Sequence, residues 1–159
     1  MARVRFAVHA ALMVVLLLAA AAWFPPPRSV AMDAAAAVAW PPSTSLVIAE
    51  VVTGGASASD EWIEMANVGP SAVDLAGLEV AYATSSGATV TRKATWTVSL
   101  LLDPGQRVLI ANSAGVFGPV ADAVYTGGLA ATGGAIVLRP VGGTPVDAVG
   151  WGDAVNAFV

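Results

Sequence analysis

After Ser45 the chain never runs far before a glycine or proline cluster interrupts it. The clusters are Thr53-Gly54-Gly55, Gly69-Pro70-Ser71, Ser85-Ser86-Gly87, Asp103-Pro104-Gly105 and Gly142-Gly143-Thr144. Such residues supply the preset or positive φ that tight turns need. The segments between them are short and rich in β-branched and aromatic residues. Leu46, Val47, Ile48, Val51 and Val52 form one. Glu61 to Asn67 is the next, with Ile63 and Met65 on one face and Trp62 and Glu64 on the other. Val73-Asp74-Leu75 reads as a short edge or connecting strand, and Leu78 to Thr84 as a longer one. Thr95-Trp96-Thr97-Val98 alternates polar and apolar, as a half-buried strand does. Arg107 to Ala111, Ala123 to Tyr125, Ala135 to Val141 and Pro145 to Val149 follow, the last two as a hairpin. A loop spans Ser113 to Pro119. No amphipathic helix pattern appears after residue 44, which argues against an α/β fold. About eight short strands at this spacing predict an all-β sandwich.

Composition agrees with a folded domain. The chain is 57% hydrophobic and 11% charged, too apolar for disorder throughout. It has no cysteine, which rules out disulfides, thiolate-bound zinc and a thiol nucleophile. Its one histidine, His9, lies in the N-terminal segment. The predicted domain therefore lacks the commonest general base and cannot build a Ser-His-Asp or Cys-His system. Carboxylates remain. Asp60, Glu61 and Glu64 are close in sequence, and Glu50 and Asp74 are candidates to join them. Glu61 and Glu64 are three apart on a strand and so face opposite sides, unlike the paired acids of a glycosidase. Calcium suits an acidic extracellular β-module, yet the loops lack closely spaced Asp-x-Asp ligands. Hydrogen bonding of Glu50 and Glu64 to backbone and turn capping by Asp74 explain these acids more simply. The glycine-rich run Thr126–Gly134 lacks the Lys-Ser/Thr of a phosphate loop and reads as a connection between strands. Arg92-Lys93 reads as a solvated loop tip rather than a nucleic-acid patch. The large aromatic residues read as packing, with Trp62 singled out because it shares a strand face with Glu64.

The N-terminus has the layout of an export signal. Arg3 and Arg5 precede an unbroken apolar run from Ala10 to Phe24, which Pro25-Pro26-Pro27 ends. The run is short of the roughly 20 residues a membrane span requires. Carried back to Phe6 it reaches 19 residues and includes His9, so a retained anchor is the second reading. Ser29-Val30-Ala31 and Ala37-Val38-Ala39 are candidate cleavage sites. The expected organisation is a signal peptide or anchor helix over residues 1–31, an Ala/Pro-rich linker over 32–44 and a sandwich over 45–159. Cleavage before Met32 leaves four basic and eleven acidic residues, a formal charge of −7. That sign disfavours nonspecific binding to nucleic acid.

Five blocks in order resemble the lamin-tail domain family: Ser45–Val51, Glu61–Asn67, Val73–Gly77, Leu102–Ile110 and Val146–Gly152. They match its opening strand, its Glu-aromatic-Ile/Val-Glu-Leu-x-Asn strand, its Val-Asp-Leu-Ser-Gly turn, its Leu-x-Pro/Ala-Gly strand entry and its Asp-x-Val-Gly-x-Gly signature. The resemblance implies an immunoglobulin-like β-sandwich of the exported kind seen in bacteria, often attached to nucleases, phosphoesterases or surface proteins. It carries over no catalytic residue and no cofactor. Leu78 departs from the tryptophan of many members, and a further strand is expected beyond Val159, without which a sheet edge stays open. The expected function is a non-catalytic exported module that binds a protein or cell-envelope component, touching membrane only through an uncleaved N-terminus. A truncated accessory domain of an exported nuclease or phosphoesterase and a calcium-stabilised adhesion module are the alternatives.

Overall fold

The computed structural model describes residues 43–158. The signal or anchor segment and nearly all of the linker lie outside the described residues. Ten strands occur among these: β1 (Leu46–Thr53), β2 (Glu61–Asn67), β3 (Val73–Asp74), β4 (Leu78–Thr84), β5 (Val90–Thr95), β6 (Leu101–Leu102), β7 (Arg107–Asn112), β8 (Ala123–Tyr125), β9 (Gly133–Pro140) and β10 (Asp147–Gly152). A 3-10 turn, Gly118–Val120, precedes β8. One sheet has the order β1-β2-β7-β8 and the other β10-β9-β4-β5, while β3 and β6 form a small separate pair. All pairings are antiparallel except β7 with β8. The fold is an all-β, immunoglobulin-like sandwich.

Period-two patterning builds the core. Leu46 and Ile48 of β1, Ile63 and Met65 of β2, and Val108 and Ile110 of β7 meet Val80 and Tyr82 of β4 and Ile136 and Leu138 of β9. Ile63, Met65, Val80, Ile110, Ile136 and Leu138 are fully buried, and each large apolar side chain so removed from water contributes about 1.5–3 kcal/mol. Leu102 of β6 and Leu75, just after β3, belong to the same cluster. Asn67 ends β2 without solvent contact: its Nδ2 donates to Ser71 O and Leu102 O at 2.8 Å, and its Oδ1 accepts from Gly69 N–H at 2.9 Å. It thereby supplies the Gly69-Pro70-Ser71 turn with the partners a buried backbone requires.

The strand expected over Thr95–Val98 is displaced. The turn at Ser85–Gly87, with φ +74° at Gly87, closes tightly, and Thr84 N–H bonds to Thr89 O, so the return strand begins at Val90. Trp96 packs against the core from outside the strand, while Val98 is 74% exposed. The alternation there reflects one partly buried indole and not a ladder. Arg92-Lys93 is likewise no loop tip: both residues lie in β5, and Lys93 is only 6% exposed. Gly133 and Gly134, expected in the connection, open β9.

Two edge strands carry bulges. In β1, Ile48 pairs with Met65 and Glu50 with Glu64, which leaves Ala49 as the extra residue. In β5, Arg92 pairs with Ala81 and Ala94 with Val80, which leaves Lys93 extra. A bulge turns a side chain out of simple alternation and twists an edge away from stray partners. It accounts for adjacent Lys93 and Ala94 both being buried.

Candidate functional site

The sandwich has two seams where strand edges of opposite sheets approach. At one, β1 faces β10, and Ile48 N–H donates to Asp147 Oδ2 at 2.7 Å. Ile48, Ala49, Glu50, Val51, Val149 and Trp151 line a cleft of about 200 Å³ there. At the other, β5 faces β8 across a cleft of about 450 Å³. Arg92 to Thr95 form one wall, Ala123 to Thr126 the other, with Ser113 between them. Among the described residues no main-chain hydrogen bond joins β5 to β8.

Behind this larger cleft lies a buried polar cluster. Glu61, at the start of β2 and 3% exposed, accepts from Leu129 N–H at 2.7 Å and from Asn112 Nδ2 at 3.1 Å. Lys93 Nζ donates to Gly127 O and Gly128 O at 3.3 and 3.2 Å. It also sits 4.5 Å from the Tyr125 ring centre and 5.5 Å from that of Tyr82. These contacts replace water around the ammonium with carbonyl dipoles and ring faces. Burial lowers the Lys93 pKa, and the charge of Glu61 opposes that shift. Burial and Glu61 both push the Tyr125 phenol up. The cluster links β2 of one sheet with β5 of the other and fixes Thr126–Thr132, the part of the glycine-rich run that connects β8 to β9. Its bonds are those of a structural staple.

The remaining acids have separate posts. Asp60 Oδ2 accepts from Ser57 N–H at 2.8 Å and Oδ1 from Val116 N–H at 3.1 Å, which holds its carboxyl below the usual range and ties two loops together. Asp74 accepts from Ala76 N–H, Ser99 Oγ and Leu100 N–H, and these bonds lower its pKa. This is the turn cap expected of it. Glu64 pairs with Arg107 rather than with backbone, and Glu50 stands opposite Glu64 in the register. Glu79 of β4 takes Arg92 Nε at 2.7 Å, Arg139 Nε at 2.8 Å and Gly142 N–H at 3.2 Å. Burial would raise the Glu79 pKa, but the bonds from Arg92, Gly142 and Arg139 outweigh it and the net shift is downward. Among the described residues no three His, Asp or Glu side chains converge as metal ligands. Trp62 packs edge-on against Phe117, with ring centres 6.0 Å apart.

A model of the lamin tail domain matches residues 41–153. The chain belongs to the lamin tail domain family. No curated protein sequence matches it. The matched span contains all ten strands of this lamin tail domain and both seams. Asn67 and Asp74, which fall in the blocks that resemble the family, hold turns in place. The polar residues at the β5–β8 seam draw on separate parts of the chain. Sequence reasoning does not single out Tyr125 or Asn112, and it misplaces Lys93. Their partners lie tens of residues away, and the β5 bulge has no signature in a period-two pattern.

Proposed function

We propose that this lamin tail domain is an exported, non-catalytic module of the bacterial type that binds a protein or cell-envelope component. The observation that carries this reading is the use of its polar side chains. The buried acids and Lys93 are committed to backbone, to Asn112 or to arginines, while the surface leaves two strand-edged clefts open. A catalytic centre instead holds an acid, base or nucleophile toward a substrate. Export is supported by Arg3 and Arg5 ahead of the apolar run Ala10–Phe24. The acidic balance favours a protein or envelope partner over nucleic acid. The test has two parts. The purified chain is incubated with phosphomonoester, phosphodiester and DNA substrates, and is separately immobilised and exposed to cell-envelope fractions. Retention of an envelope component without turnover is the expected result. Turnover that tracks the protein through purification would sink the reading, as would retention of nothing.

A further inference from the structure

The β5–β8 cleft differs from the rest of the surface in both shape and charge. Each wall is the free edge of a sheet, so main-chain N–H and C=O groups that face away from β4 and β7 border it. Its β5 wall, Arg92 to Thr95, has the length of about four residues of extended chain. The described residues contain ten Asp or Glu and four Lys or Arg. Two of those four bases, Arg92 and Lys93, line the cleft, and no acidic residue does. The wall side chains are also rich in donors: the Arg92 guanidinium, half exposed at 51%, and the hydroxyls of Thr95, Ser113 and Thr126. Tyr125 of the β8 wall is 5% exposed, and its Oη has no hydrogen-bond partner among the described residues. A buried hydroxyl in that state is a donor short of an acceptor.

We propose that this cleft accepts an extended peptide carrying an acidic side chain, laid as an added strand along the β5 edge with its carboxylate against Arg92. The proposal rests on the binding-module reading and gives it a place and a partner chemistry. Added strands gain affinity from main-chain bonds and selectivity from side chains. Arg92 has one face on Glu79 and the rest toward solvent, and a guanidinium can hold a second carboxylate through its remaining N–H groups. The Lys93 bulge sharpens the choice. A bulged edge with an inward lysine resists indiscriminate apolar pairing. A strand bringing negative charge meets walls that carry no acidic side chain.

The test uses the full chain and three fluorescein-labelled peptides, Thr-Val-Glu-Val-Thr and its Gln and Lys counterparts, followed by fluorescence anisotropy. The Glu peptide is expected to bind about tenfold more tightly than the Gln peptide, the scale of one charge-assisted bond. Arg92→Gln should remove that preference. Thr126→Glu, at an exposed wall position, should weaken the Glu peptide and admit the Lys peptide. Far-UV circular dichroism of both variants checks that they fold. Equal binding of the three peptides, indifference to both substitutions, or no binding at all overturns the proposal. If the wild-type chain and both variants still retain an envelope component equally, the module reading survives and its site lies elsewhere. If no chain retains anything, that reading falls too.

Discussion

Tyr125 shows how one atom can work against the fold it belongs to. Its ring packs in the core and under the Lys93 ammonium, but its hydroxyl is buried without a partner among the described residues. Leaving a buried donor unpaired costs roughly 1–3 kcal/mol. Tyr125→Phe keeps the ring and removes the hydroxyl, so stability should rise by about 1 kcal/mol, read as a higher urea midpoint at unchanged slope. An unchanged or lower midpoint would mean that the hydroxyl is satisfied in solution. Lys93 gives a pH signature with a definite sign. Its pKa is lower in the folded chain than its ordinary value of about 10.4, so between those two values the unfolded chain binds more protons. Stability must then rise with pH through that window. Tyr125, raised in the folded chain, acts oppositely above about 10, where the unfolded phenol ionises first. Lys93→Met should flatten the rise below that point, as urea midpoints across alkaline pH would show.

At the level of strands, the turns and the inward face were legible in the sequence. Asp103-Pro104-Gly105 and Gly69-Pro70-Ser71 mark turns through their own backbone preferences, and the alternation of Ile63 and Met65 marks a core face. Local chemistry fixed these features, so a local reading found them. Strand β5 was harder to place because its decisive residue is extra to the ladder. The bulge turns Lys93 inward, and the reason is visible only when Gly127, Gly128 and Tyr125 arrive from the far side. The clefts share that property, being made where β5 meets β8 and β1 meets β10. Two predictions belong here. Glu79 joins β4 to the arginines of β5 and β9, and its lowered pKa means that this stability is present above about 4.3 and lost as pH falls through the folded value. Glu79→Gln should therefore lower the urea midpoint at pH 6 and flatten its decline toward pH 3. Gly152 ends β10 at φ +63°, and a Cβ there would overlap the Thr132 carbonyl group. Gly152→Ala combines left-handed strain with a backbone clash and should cost about 2–4 kcal/mol, measured by the same unfolding assay.

For the domain as a whole, the question is whether its two sheets melt together. They share one apolar cluster, and polar ties also cross between them: Ile48 N–H to Asp147, and the Glu61–Lys93 cluster linking β2 with β5 through the Thr126–Thr132 connection. Neither sheet can leave without exposing the inner face of the other, so partial unfolding gains little entropy for the apolar surface it exposes. Residues 40–159 should therefore unfold in urea in one transition. Far-UV circular dichroism reports the strands of both sheets. Tryptophan fluorescence reports Trp62 in β2, Trp151 in β10 and Trp96, which packs against the core beyond β5, along with Trp40 at the start of the fragment. The two curves should coincide, with a stability of roughly 5–15 kcal/mol. Because the described residues contain no converging set of metal ligands, millimolar calcium or chelator should leave the midpoint in place. Separate optical transitions would mean that the open seams let the sheets part independently. A calcium-dependent rise would restore the adhesion-module alternative, since only a ligand favouring the native state can raise its stability by mass action.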